Sequence, residues 1–99
     1  MENIFLICFN EYVVSRESIS SLLNSMDIIT DFRFDDIPHS CFIKSSENAY
    51  KIAYELKVRT DKESKFFITE ITNNCDGFIT ENIMLFILKG IKNHNENLV

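Results

Sequence analysis

The chain has little of the residues that loosen or interrupt regular structure. Only two of its 99 residues are glycine and one is proline, and no low-complexity segment is visible. Disordered chains are rich in such residues and poor in apolar ones, whereas 45% of this chain is hydrophobic and nine residues are phenylalanine. We therefore expect one folded domain over residues 1–99, small enough that pairing with a second copy would add to its buried surface.

Basic clusters and long apolar runs are missing as well. The formal net charge is −5, from 15 acidic and 10 basic residues, and no Lys/Arg cluster of the kind that binds a phosphate backbone occurs. The longest apolar runs, residues 4–9 and 83–88, are too short to span a bilayer. The start, Met1-Glu2-Asn3, lacks the basic region of a signal peptide. These features predict a cytoplasmic protein with no membrane partner and no nucleic acid as a direct ligand.

Paired cysteines and metal-ligand spacings are also absent. Cys8, Cys41 and Cys75 form no C-x-x-C motif, and His39 and His94 do not lie at ligand spacing. Cys8 and Cys41 fall within apolar segments, where a free thiol behaves as a small core residue. No glycine-rich phosphate loop and no pairing of a nucleophile with a base can be recognised. We predict no cofactor, no metal and no catalytic residue.

What the chain does contain is a regular change of hydrophobic period. Strand and helix patterns follow in the order strand, helix, strand, strand, helix, strand, and an apolar helix comes last. This is the order of a ferredoxin-like βαββαβ sandwich in the α+β class, here with an additional C-terminal helix. The predicted strands cover residues 4–9, 31–37, 40–44 and 65–71, with a hairpin turn at 36–39.

The helices are predicted from apolar stripes at helical spacing, each preceded by a capping side chain. The expected caps are Ser15, the pair Ser45 and Ser46, and Thr80. The stripes are Ile19, Leu22, Leu23 and Met26 in the first helix and Ala49, Ile52, Ala53 and Leu56 in the second. The last helix, residues 81–92, has apolar residues on every side, and one sheet buries only one side of it.

The surplus apolar surface of the last helix predicts contact with another subunit or a partner protein. A homodimer is the commonest closed assembly and needs no further partner. The alternative is a core helix packed between the sheet and the first two helices. The predicted partner or dimer interface comprises Phe78, Ile79, Met84, Leu85, Phe86 and Leu88.

Acidic residues near the hairpin and in the loop before the fourth strand predict an acidic surface. Its members are Asp31, Asp35, Asp36, Asp61 and Glu63. A metal site built from the hairpin aspartates and His39 is the alternative, but turn chemistry explains the same residue types. Clustered carboxylates of this kind would suit a protein that occupies a basic nucleic-acid channel by mimicry.

Aromatic residues in the strands raise the question of base stacking, which ferredoxin-like RNA binders use. The candidates are Phe5, Phe9, Phe66 and Phe67. The basic residues and glycines that accompany such aromatics are missing, so we predict that these rings belong to the core.

Several strings of the sequence resemble the SinR-like family of small bacterial proteins. They are residues 4–10, 40–45 and 65–72 and the turn Asp76-Gly77-Phe78-Ile79. That family is in turn similar to the small CRISPR-adaptation nuclease subunit and to VapD-like ribonucleases. The resemblance implies a ferredoxin-like domain that dimerises, with the two sheets approaching each other and the C-terminal segments crossing over.

Nuclease members of this wider group carry an aspartate after the first strand, where two copies hold a divalent cation. This chain has Asn10 there, and an amide binds a hard cation more weakly than a carboxylate does. The neighbouring Glu11 would point to the opposite face of a strand. The sequence therefore favours a non-catalytic homodimeric interaction module, such as a regulator or a phage-encoded inhibitor of a host defence (CRISPR-type) nuclease. The alternative is a metal-dependent endoribonuclease of the VapD or CRISPR-adaptation type.

Overall fold

The computed structural model describes residues 1–10 and 16–98, with the backbone alone for residues 92–98. In this part of the chain, four strands and three helices follow in the predicted order. They are β1 (Asn3–Phe9), α1 (Arg16–Asn24), β2 (Ile29–Arg33), β3 (Ser40–Ser45), α2 (Ala49–Arg59), β4 (Phe66–Ile71) and α3 (Glu81–Leu98). The strands form one antiparallel sheet in the spatial order β2-β3-β1-β4. The ferredoxin-like fold with an additional C-terminal helix is therefore confirmed.

The central strand β1 is covered on both faces, which explains its continuous apolar sequence. It pairs with β3 on one side and with β4 on the other. Successive side chains of a strand point to opposite faces. Phe5 and Ile7 therefore contribute to one core, while Ile4 contributes to a second core that Leu6 packs against.

Helices α1 and α2 cover one face of the sheet, which we call the two-helix face. Nine buried residues, each between 0 and 2% exposed, form its core: Phe5, Ile7, Ile19, Leu23, Met26, Cys41, Ile43, Ile52 and Leu56. Both predicted helix stripes supply residues to this core, which confirms the prediction that α1 and α2 are amphipathic helices. Met26 joins the core although α1 ends at Asn24.

Helix α3 covers the opposite face, which we call the α3 face. Its core comprises Ile4, Phe42, Ile83, Phe86, Ile87 and Ile91. The alternative of a helix packed between the sheet and the first two helices is therefore wrong. A glycine permits the close approach of α3 to β1, because a Cβ atom at Gly90 would lie 2.2 Å from Cγ1 of Ile4.

Two predicted helix boundaries are wrong for identifiable reasons. Asn48 caps α2, since its side-chain oxygen accepts a hydrogen bond from the Lys51 N–H at 2.9 Å. Ser45 instead ends β3, and its hydroxyl accepts from the Glu47 N–H at 3.0 Å. Helix α3 continues to Leu98 rather than ending at residue 92. The predicted cap Ser15 lies outside the described residues.

Strand β2 ends at Arg33, four residues before its predicted end at residue 37. The chain then turns through residues 34–39, where His39 has a positive φ of 56°, a conformation uncommon for residues other than glycine. The His39 carbonyl accepts a hydrogen bond from the Phe9 N–H at 2.9 Å, which ties the turn to the end of β1. Among the described residues, no helix is long and apolar enough to cross a membrane.

Candidate interaction surface

The outer side of α3, turned away from the sheet, exposes apolar side chains. Leu85 is 47% exposed and Leu88 is 49% exposed, while Met84 is partly buried. Residues three and four apart lie on the same side of a helix, so exposed Glu81 and Lys89 flank Leu85 one turn before it and one turn after it. We call the four exposed residues Glu81, Leu85, Leu88 and Lys89 the outer stripe of α3.

Phe86 belongs to the inner side of α3 and not to the outer stripe. The side chain is buried, with 8% exposure. The Arg33 guanidinium carbon and the Lys44 ammonium nitrogen each lie 4.9 Å from the centre of its ring. Cations over an aromatic face are attracted by its negative quadrupole. Phe86 thus attaches α3 to β2 and β3 of its own chain, although the sequence predicted it as an interface residue.

The turn before α3 presents the most exposed aromatic ring among the described residues. Phe78 is fully exposed, whereas the next residue, Ile79, packs against the core of the α3 face. An apolar pocket of about 290 Å³ opens beside this turn, between the sheet and α3. Its walls include Leu6, Phe42, Ile71, Ile79, Met84 and Ile87. The exposed ring and the pocket therefore add apolar surface at the turn that precedes the N-terminal end of α3.

Asp35 holds the N-terminal end of α3 and is buried rather than part of an acidic surface. Its carboxylate accepts a hydrogen bond from the Thr80 N–H at 3.2 Å. The hydrogen bond from the Thr80 side chain lowers the pKa of Asp35, and although burial raises it, the net pKa is below the ordinary value of 3.8. The Arg16 guanidinium, which donates to the Asp35 carbonyl, lowers this pKa slightly further. Asp35 therefore joins the hairpin to α3.

The other predicted acidic residues lie in separate places. Asp31 is paired with Arg33 on β2, and Asp36 is exposed in the hairpin turn. Asp61 and Glu63 are exposed in the loop before β4, on the other side of β1 from the hairpin. Three lysines share a groove of about 540 Å³ with Asp61: Lys57, Lys62 and Lys65. The loop thus carries charges of both signs, as its sequence indicates, and the fold adds Lys57 of α2 to the same groove.

Asn10 closes the loop before β4 onto the end of β1. Its side-chain N–H donates to the Glu63 carbonyl at 2.9 Å, and its side-chain oxygen accepts from the Lys65 N–H at 3.1 Å. A carboxylate at this position could accept the second bond but could not donate the first. The amide therefore has a structural role here, independent of any metal.

The hairpin aspartates and His39 do not form the alternative metal site. Among the described side chains, those of residues 1–10 and 16–91, no group of three or more His, Cys, Asp or Glu could hold a metal ion. The His39 ring contacts Phe9 edge to face, with the ring centroids 5.9 Å apart. Glu11 and the side chain of His94 lie outside the described part.

Two residues predicted as core are exposed on the α3 face. Cys8 is exposed, and Phe67 is 68% exposed. These residues are opposite each other on β1 and β4, beyond the area that α3 covers. The other strand aromatics, Phe5, Phe9 and Phe66, pack in or against the core of the two-helix face, so a platform of several exposed rings for base stacking is not formed by these four residues.

Sequence reasoning also missed an apolar stripe on the outer side of α2. Tyr50, Tyr54 and Val58 are 80, 56 and 61% exposed. Their spacing of four residues is visible in the sequence. It was not interpreted as a surface because the inner stripe of the same helix already explained why the helix is amphipathic. Two charged neighbours of this stripe form local ion pairs: Lys51 with Glu47, which precedes α2, at 4.0 Å and Arg59 with Glu55 at 3.4 Å.

Comparisons with known proteins add no relative to these structural observations. No protein-family model, no curated protein and no solved structure matches the chain. The resemblance to SinR-like proteins therefore stays a prediction, and the fold is identified by its strand order and helix placement.

Proposed function

We propose that this chain is a non-catalytic homodimeric protein-interaction module whose interface contains the outer stripe of α3 and the Phe78 turn. The observation that carries the proposal is the exposure of Leu85 and Leu88 on a helix whose inner side already packs on the sheet, next to the exposed Phe78 in the preceding turn. Neighbouring exposed apolar side chains of this size are typical of interaction sites. Burial of the Phe78 ring alone would contribute roughly 2–3 kcal/mol.

The proposed contact differs from the one that the family resemblance implies. A dimer in which two sheets approach each other needs an open sheet face, and α3 packs on that face in a core of six residues, four of them its own. Such a dimer would require α3 to leave the sheet and expose those residues to water. We therefore propose contact through the outer side of α3, which leaves the monomer fold intact.

We further propose that the dimer binds a second protein in the cytoplasm, as a regulator or an inhibitor of a host defence nuclease would. The net charge of −5 supports a basic partner surface. Asp36, Asp61 and Glu63 are the exposed members of the predicted acidic set, whereas Asp35 is buried. Substitution of Asp36 and Glu63 by Asn and Gln should weaken binding to a candidate nuclease in a pull-down titration. Unaltered binding would contradict the acidic contact.

The homodimer is tested by its mass in solution. Sedimentation equilibrium should give a dimer for the wild type and a monomer for Leu85→Asp, because a buried unpaired carboxylate costs about 3–5 kcal/mol. Tyr54→Asp is the matched control, since Tyr54 is comparably exposed but lies on α2. A monomeric wild type, or dissociation by Tyr54→Asp alone, would contradict the proposed interface.

The non-catalytic part of the proposal is tested by an RNA cleavage assay. We expect no cleavage with Mg²⁺ or Mn²⁺ in the wild type. Cleavage that requires one of these ions and is lost in Glu11→Gln would overturn the proposal in favour of a metal-dependent endoribonuclease. Asn10→Asp is a poor test of a lost metal ligand, because it also removes the hydrogen bond to the Glu63 carbonyl.

A further inference from the structure

We propose that two copies of this chain pair through their α3 helices in antiparallel orientation, centred on Leu85, with Glu81 of each copy facing Lys89 of the other. This inference rests on the proposed homodimer and adds its geometry. The occupant of the outer stripe is thus a second copy of the same stripe.

The spacing of the stripe supports an antiparallel twofold arrangement. Glu81, Leu85 and Lys89 follow at intervals of four, so they lie along one side of α3. In an antiparallel pair centred on Leu85, this side chain meets its own equivalent and position 81 meets position 89. Such self-complementarity is what a twofold interface requires. A parallel pair would instead place like charges opposite each other.

The charges of the stripe have no partner within the described part of the chain. The ion pairs found there join Asp31 with Arg33, Glu47 with Lys51 and Glu55 with Arg59. Glu81 and Lys89 are eight residues apart, about 12 Å along a helix, so they do not reach each other. The second copy supplies a cation for each Glu81 and a carboxylate for each Lys89.

The outer stripe of α2 is the competing surface, and its charges distinguish it from that of α3. Tyr50, Tyr54 and Val58 are at least as exposed as Leu85 and Leu88. Lys51 and Arg59 beside them pair with Glu47 and Glu55, and the remaining neighbour Lys57 is a cation, which a second copy of the same stripe would not neutralise. The α3 stripe combines apolar contact with complementary charge, which is why we assign the dimer to it.

Phe78 enlarges the area available to this pairing. Stable interfaces bury about 1,200–2,000 Å² in total, more than a few helix side chains provide. Phe78 lies three residues before the start of α3 and is fully exposed, and we include it in the proposed contact with the second copy. Two such rings would each add roughly 150–250 Å².

A charge swap tests the pairing. We expect Glu81→Lys and Lys89→Glu each to weaken the dimer about tenfold or more, because either change sets like charges opposite each other at two symmetric places. The double variant Glu81→Lys/Lys89→Glu should dimerise within about threefold of the wild type, since both pairs are restored with reversed sign. Sedimentation equilibrium measures the dissociation constants. High salt should reduce the difference between single variants and wild type.

Lys51→Glu on α2 is the matched control and should leave the dimer unchanged. A monomeric wild type would contradict both the homodimer and the pairing. A dimeric wild type whose single variants dimerise equally well would contradict the pairing and leave the homodimer standing. Weakened single variants without recovery in the double variant would also contradict it. All three substituted positions are exposed, and an unchanged circular dichroism spectrum verifies the fold.

Discussion

The two faces of the sheet are covered to different degrees, and the difference shows how this fold combines stability with an exposed surface. On the two-helix face, every core residue is 2% exposed or less. On the α3 face, Phe42, Ile83, Phe86 and Ile91 retain 6–8% exposure. Two helices therefore exclude water from one face, whereas a single helix covers only part of the other. Substitutions that weaken the packing of α3 should therefore leave the core of the two-helix face intact.

A few specific contacts attach α3, and each can be changed separately. Gly90 allows the helix backbone to lie against Ile4, two cations contact the Phe86 ring, and Asp35 holds Thr80 at the start of the helix. On the two-helix face, two helices contribute buried stripes, and single contacts such as that of Arg16 over the Phe34 ring add to this larger core. We therefore expect substitutions on the two faces to differ in size and in what unfolds.

The largest effect is expected in the core of the two-helix face. Leu56→Ala should lower the free energy of unfolding by about 2–5 kcal/mol, because Leu56 is fully buried and its removal leaves a cavity. Urea denaturation followed by circular dichroism measures the change. Val58→Ala on the exposed side of the same helix should stay within about 0.5 kcal/mol of the wild type. Equal effects of the two substitutions would contradict the assigned orientation of α2.

A smaller effect is expected where α3 approaches β1. Gly90→Ala should destabilise by about 1–3 kcal/mol through overpacking against Ile4, partly offset by about 1 kcal/mol of helix propensity. Gly77→Ala is the control, because nothing lies within 4 Å of a Cβ atom there. Ile4→Ala combined with Gly90→Ala should cost less than the sum of the single changes, as expected for residues in contact. Strict additivity would contradict the close approach.

The contact between the hairpin and α3 should depend on pH. The folded pKa of Asp35 lies below its ordinary value of 3.8, so its stabilising contribution is present above about pH 4 and is lost as pH falls through the folded pKa. The wild type should lose more stability between pH 7 and pH 3 than Asp35→Asn does, as measured by urea denaturation. Equal losses of stability in the two proteins would show that protonation of the Asp35 carboxylate does not affect the free energy of unfolding.

The smallest perturbation is chemical labelling of the thiols, which compares the accessibility of the two-helix core with that of exposed positions and needs no mutation. Cys8 and Cys75 are exposed, whereas Cys41 is buried in the two-helix core, where desolvation raises its pKa to about 12. Reactivity follows exposure and thiolate content. A chromogenic disulfide reagent should therefore modify two thiols rapidly in the native protein and the third only in denaturant. Rapid modification of all three would contradict the burial of Cys41.

The sequence predicted the fold well because its information is local and periodic. The stripes of α1 and α2 and the continuous apolar run of β1 each determine an element and the side that it buries. Contacts between distant residues could not be predicted in this way. Asp35 looked like a turn residue until its contact with Thr80, 45 residues away, explained its burial. Asn10 likewise resembled a lost metal ligand, although its partner Glu63 lies 53 residues along the chain.

The candidate interface was only partly predictable for a related reason. The run at residues 83–88 is apolar on every side, so the pattern alone does not distinguish the inner Phe86 from the outer Leu85. The cations that hold Phe86 come from β2 and β3, and their positions depend on strand register rather than on the sequence of α3. The structure was required to separate the side of α3 that belongs to the monomer from the side left exposed.

The proposed use of α3 is tested most directly by hydrogen–deuterium exchange at two protein concentrations, one below and one above the dimer dissociation constant. We predict that amides of residues 81–91 exchange more slowly at the higher concentration, because association on the outer stripe restrains opening of α3. The amides of α2 should exchange equally at both concentrations. Protection that rises with concentration in α2, or in neither helix of a protein that dimerises, would contradict the assignment of the interface to α3.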